Sequence, residues 1–139
     1  MCCGATNSPE GMMSGELDVC KTTVGPAVVP IPYPLVAELV EADPATLAVT
    51  VLFEGFPVVT EESIAAMSCE GDEAGDLMGL ESETISMSCR FLLGSTSVFA
   101  EGGPVCYFGG MTMMNGEGLE NCMLADHDTP SQETVMVAP

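Results

Sequence analysis

Basic residues are almost missing from this chain: Lys21 and Arg90 are the only permanent cations in 139 residues, against 21 Asp and Glu, for a formal charge of −19. That deficit excludes a nucleic-acid partner held through phosphates, because such binding releases counterions to clustered Lys and Arg. It also argues against stable association with an anionic membrane. No apolar run approaches the roughly 18–20 residues that cross a bilayer, and Met1-Cys2-Cys3-Gly4-Ala5-Thr6-Asn7 has neither the basic region nor the apolar core of a signal peptide. A cytoplasmic place of synthesis is therefore expected. Catalytic groupings are missing too. His127 is the only histidine, no obvious Ser or Cys partner accompanies it, and no Gly-rich phosphate loop opens a helix, so no enzyme is expected.

What remains is an apolar, turn-rich chain of the size of one domain. Hydrophobic residues make up 47%, enough for a compact core, and 15 Gly with 10 Pro favour short strands and turns over long helices. Seven cysteines stand at positions 2, 3, 20, 69, 89, 106 and 122. The number is odd, no Cys-x-x-Cys pair exists, and without an export signal free thiols or metal ligands outrank disulfides.

Residues 1–16 lack periodicity and read as an irregular N-terminal arm, with the main domain over 17–139. Pro26, Pro30, Pro32 and Pro34 then impose an extended ribbon that cannot lie inside a sheet. Leu35–Ala42 places apolar residues at i, i+1, i+4 and i+5, which predicts two helical turns ending at Asp43-Pro44. From Thr46 the pattern turns to strands. Thr46–Phe53 is β-branched and apolar, and Thr84–Phe91 alternates strictly, with Ile85, Met87, Cys89 and Phe91 on one face. Thr96–Ala100, Val105–Phe108, Met111–Met114 and Thr134–Val137 are further strands. The fold class read from the residues is mostly β, with few or no helices.

An internal repeat stands out. Val51-Leu52-Phe53-Glu54-Gly55-Phe56-Pro57-Val58 and Val98-Phe99-Ala100-Glu101-Gly102-Gly103-Pro104-Val105 match at Val, Glu, Gly, Pro and Val. Each copy is a strand, a Glu-Gly turn, a proline that cannot donate to a ladder and a returning strand: one β-hairpin used twice. The acidic loop after the first copy carries Asp72, Glu73 and Asp76, but lacks calcium-loop spacing and reads as a solvated turn.

Asp18-Val19-Cys20-Lys21-Thr22, Pro30-Ile31-Pro32-Tyr33-Pro34, Gly71-Asp72-Glu73-Ala74-Gly75, Asn115-Gly116 and Pro130-Ser131-Gln132, in that order, resemble the PAAR-like spike-tip proteins of type VI secretion and related contractile injection systems. The resemblance runs over roughly residues 17–139. The eponymous Pro-Ala-Ala-Arg is altered: Pro57-Val58-Val59-Thr60 and Pro104-Val105-Cys106-Tyr107 keep the proline and lose the arginine. The resemblance implies a small cone of short β-hairpins that caps a trimeric VgrG-type spike, one tip per trimer, helps pierce the target envelope and travels outward with the apparatus, with effectors as further partners. It also implies a zinc ion near the apex. With one histidine, the candidate ligands are Cys20, Cys69, Cys122 and His127, a Cys3His set suited to tetrahedral zinc. The Pro-rich ribbon, through Val29, Ile31 and Tyr33, is the candidate partner surface. The competing expectation is a free acidic, cysteine-rich protein that handles metal or redox equivalents.

Overall fold

The computed structural model describes all 139 residues, Met1–Pro139. Its strands are β1 (Cys2–Cys3), β2 (Met12–Val24), β3 (Ala27–Glu38), β4 (Ala48–Phe53), β5 (Phe56–Val58), β6 (Cys89–Phe91), β7 (Phe99–Ala100), β8 (Gly103–Pro104), β9 (Met111–Met114), β10 (Cys122–Thr129) and β11 (Met136–Val137); there is no α-helix. This mostly β architecture has two parts: a five-stranded antiparallel sheet, and a triangular end made of three strand pairs.

The sheet has the order β3-β2-β10-β9-β6. Its longest element is the β2–β3 hairpin, and the Pro-rich ribbon is β3, an edge strand as its prolines require. The Val36 amide and carbonyl point away from β2, to Glu70, at 2.9 and 2.8 Å. Pro30, Pro32 and Pro34 share that parity, so their missing N–H groups are those that would have faced outward. The two-turn helix expected at Leu35–Ala42 does not form. Leu35–Glu38 complete β3, with Ala37 opposite Met13, and only Leu39–Glu41 coil into a 3-10 turn. Ladder bonds to β2, continued by Leu39 N–H to Gly11 carbonyl at 3.0 Å, win over a helix too short to hold itself.

Thr84–Phe91 is likewise shorter as a strand than its alternation suggests. Only Cys89–Phe91 pair, because Glu83 and Ser86 take left-handed backbone conformations (φ 56° and 52°) and Ser86 turns both its donors to Asp72. The main core holds 17 buried residues, including Met13, Leu35, Leu39, Phe91 and Met114 of the sheet and its margin, the thiols of Cys69, Cys89, Cys106 and Cys122, and Ala5 and Val59.

At the triangular end, the two hairpins read from the repeat are both present. Glu54-Gly55 and Glu101-Gly102 have φ of 52° and 87°, and 49° and 85°, the paired left-handed residues of a type I′ turn. A third unit completes them. β11 pairs with β1, setting Val137 opposite Cys2 and Met136 opposite Cys3, just as Phe53 and Leu52 face Phe56 and Pro57, and Ala100 and Phe99 face Gly103 and Pro104. Val135-Met136-Val137 thus stands where the others have Val51-Leu52-Phe53 and Val98-Phe99-Ala100, with its two strands drawn from opposite ends of the chain.

The three returning segments close a ring of backbone hydrogen bonds. Cys106 N–H donates to Val59 (3.0 Å), Val59 to Ala5 (2.9 Å) and Ala5 back to Cys106 (2.8 Å). Bridges Thr60 to Val105, Thr6 to Val58 and Gly4 to Tyr107 repeat one relation around this ring. Each unit also clasps the next. Glu101 Oε2 accepts from the Thr50 amide and hydroxyl (both 2.9 Å), Glu54 Oε2 accepts from the Glu133 amide (3.1 Å), and the Ala138 carbonyl accepts from the Ser95 hydroxyl. One chain therefore builds a pseudo-threefold end. Inside it Val58, Val105 and Val137, with Ala48 and Ala100, form a second, small core.

Residues 1–16, expected as an irregular arm, are woven into both parts. They supply β1, the ring strand and the start of β2, and bury Ala5, Thr6 and Met13 completely. Pro130-Ser131-Gln132 fastens this segment: Ser131 Oγ accepts from the Thr6 amide at 2.9 Å, and Gln132 Nε2 donates to the Gly4 carbonyl at 2.8 Å.

Candidate metal centre

Past the irregularity between Gly15 and Asp18, β2 turns Asp18, Cys20 and Thr22 to one side, opposite Tyr33, Ile31 and Val29 of β3. Asp18 is fully buried and is met by neutral donors: Asn121 Nδ2 at 2.6 Å, Asn115 Nδ2 at 3.2 Å and the Cys20 thiol at 3.3 Å. The amides are locked in that sense. Asn115 Oδ1 accepts from the Met87 amide (3.2 Å) and the Thr84 hydroxyl (3.1 Å), and Asn121 Oδ1 accepts from the Glu81 amide (2.8 Å).

Asp72 enters from the loop before β6, also fully buried, and accepts from the Ser86 amide at 2.9 Å and hydroxyl at 2.7 Å. Burial raises its carboxyl above the usual range and Asp18 beside it adds to the rise, against the Ser86 donors. The solvated turn expected for Asp72 is thus corrected: only Glu73 and Asp76 of that acidic trio face solvent. The surrounding glycines explain why. A side chain on Gly71 (φ 128°) would run into the Pro34 carbonyl oxygen, and one on Gly75 into the Cys20 side chain. Gly-Asp-Glu-Ala-Gly is a motif of close approach that lets the loop carry its aspartate inside.

Ligand atoms of Asp18, Cys20 and Asp72 all lie within 4.8 Å of one another, and no other three His, Cys, Asp or Glu side chains meet so closely. This buried group could hold a metal. Two carboxylates and a thiol are donors that zinc accepts, so the residues present fit the ion implied by the resemblance, through a different ligand set. Cys20 belongs to the group. Cys69 and Cys122 lie at its flank, near enough for Asp72 and Asp18 respectively to add to the rise that burial imposes on their thiols. Burial, reinforced by Asp18, pushes the Cys20 thiol up to about 12, and burial does the same to Cys89. Protonated and enclosed, these thiols are poor nucleophiles.

His127 lies elsewhere, at the register of Met13 on β10. It is fully buried between the rings of Phe91 and Phe108, at 5.7 and 5.8 Å and nearly perpendicular to both, and neither ring nitrogen has a hydrogen-bond partner. Burial holds its pKa below the ordinary imidazole value, against smaller opposing effects of the Tyr107 and Thr129 backbone and of Asp128 and Asp126. Val29 is exposed, while Ile31 and Tyr33 are half-buried, the Tyr33 hydroxyl bonding Thr22 Oγ1 at 2.8 Å.

The Toxin PAAR-like domain model matches residues 11–121. The chain belongs to that family. The match spans Asp18, Cys20, Asp72, Asn115, Asn121 and both hairpins of the repeat, whereas β1 and β11, which complete the threefold ring of this PAAR-like protein, fall outside it. No curated protein and no solved structure matches. No helix is long and apolar enough to cross a membrane.

Proposed function

We propose that this PAAR-like protein is the structural tip of a contractile injection or type VI secretion apparatus, capping its trimeric VgrG-type spike with one copy per trimer and helping it pierce the target envelope. The single observation that carries this reading is the pseudo-threefold end: one chain of the family presents three equivalent strand pairs, the geometry needed to finish a threefold needle without three tips. The cap would also cover the strand edges that a blunt β-structured end leaves open. Burial of five of the seven thiols, all but Cys2 and Cys3, weighs against a redox-handling protein. Asp18, Cys20 and Asp72 would hold zinc, which when bound supplies a crosslink between β2 and the loop over residues 71–79 and no catalysis.

Native mass spectrometry of the purified chain mixed with a VgrG-type trimer tests the assembly. A complex of one chain per trimer is expected, and its absence at micromolar concentrations refutes the reading. Elemental analysis of the same preparation tests the metal. Stoichiometric zinc that disappears in Cys20→Ser is the expected result, and zinc retained in that variant removes the ion from this site.

A further inference from the structure

Three large apolar side chains occupy the same place in the three units of the triangular end: Leu52, Phe99 and Met136, opposite Pro57, Pro104 and Cys3. Their exposures are 55%, 56% and 47%. Exposed apolar side chains occur elsewhere on this surface, Leu93, Leu119 and Leu124 among them, so the signal of these three is their repetition at one equivalent position in each unit. Resting on the tip reading above, we propose that Leu52, Phe99 and Met136 are the anchors of the docking face, each seated in one of three equivalent apolar recesses on the threefold end of the partner trimer.

The occupant follows from symmetry and charge. Three anchors repeated about one pseudo-axis match three identical sites about a true axis, so a trimer engages all of them at once. A second copy of this chain would bring together two bodies of formal charge −19, with Glu54 and Glu101 in the turns next to these anchors. The same charges favour Lys or Arg around the partner's recesses. The β2–β3 hairpin tip, with exposed Val24, Val28 and Val29, is apolar as well but occurs once, and so offers a trimer a single contact.

The test measures binding of a VgrG-type spike trimer, from the organism that encodes the chain, to wild type, to Leu52→Glu, Phe99→Glu and Met136→Glu singly and together, and to a Val28→Glu/Val29→Glu control, with melting curves to confirm folding. Each single substitution is expected to weaken binding about tenfold or more and the triple to abolish it, with the control unchanged. Phe99→Ser serves should the triple variant fail to fold, with the same tenfold loss expected. Wild-type binding that survives the triple substitution, or is lost only in the control, overturns the docking face while leaving the tip reading intact. A wild-type protein that ignores the trimer and dimerises through these anchors overturns both.

Discussion

The sheet end and the triangular end solve the problem of a small protein differently. The sheet end shares in a core of 17 buried residues that reaches the ring, and holds a polar cluster in which two carboxylates are met by amides, a hydroxyl and a thiol. At the triangular end a separate core of five buried residues is backed by the closed ring of backbone bonds, whose Ala5, Val59 and Cys106 side chains pack into the larger core, and by the clasp of each unit on its neighbour. Stability at the first end rests on satisfying buried polar groups, and at the second on closing a chain upon itself. A deep polar group is therefore more costly to lose than a small aliphatic one near the ring.

The strongest way to break that contrast is Asp18→Ala. It removes the acceptor of one N–H each from Asn115 and Asn121, whose Nδ2 groups keep only the Thr84 and Val19 carbonyls (both 2.9 Å), and should cost about 2–4 kcal/mol in urea unfolding, with Asp18→Asn costing less; a loss under about 1 kcal/mol would show that the polar cluster is dispensable. Val105→Ala at the small core should cost about 2 kcal/mol, and native-state hydrogen exchange should show the Val105 amide, bonded to the Val98 carbonyl, opening below the free energy of the sheet.

His127 sharpens the comparison through pH. Its folded pKa lies below its unfolded value of about 6.5, so the unfolded chain binds more protons and stability, full above that pH, falls as pH drops through it. His127→Leu should remove this acid-side slope and, by deleting two unpartnered nitrogens, leave the neutral-pH stability equal to wild type or about 1 kcal/mol higher in melts from pH 5 to 8. The smallest effect belongs to Glu101→Gln. Its carboxylate sits in solvent, where Thr50 lowers its pKa, and the amide oxygen can replace it as acceptor, so a melting temperature within about 2 °C of wild type is expected.

Much of this was legible in the residues. Alternation, turn chemistry and proline placement gave a mostly β chain, the two Glu-Gly hairpins and an extended ribbon over Pro26–Pro34 that is excluded from a sheet interior. The third unit was not legible, because its paired residues Cys3 and Met136 stand 133 positions apart and no Glu-Gly turn joins its strands. Asp72 was misread because an acidic, Gly-rich stretch has the composition of a solvated turn; only the neighbours of Gly71 and Gly75 reveal the close approach that buries it. The helix expected at Leu35–Ala42 failed because the local pattern is blind to β2 lying alongside. Of the candidate ligands, Cys20 reached a convergent group, joined by aspartates that spacing alone did not single out, while His127 was drawn into an aromatic sandwich instead.

The outward side of β3 carries a last consequence. With three of its amide positions occupied by pyrrolidine rings and Val36 already engaged by Glu70, that flank has carbonyls to show a visiting strand but hardly an N–H to give it. A crowd of such molecules has no means of zipping together along this border, however concentrated it becomes, and exchanging Pro30, Pro32 and Pro34 for threonine would hand every copy an adhesive seam.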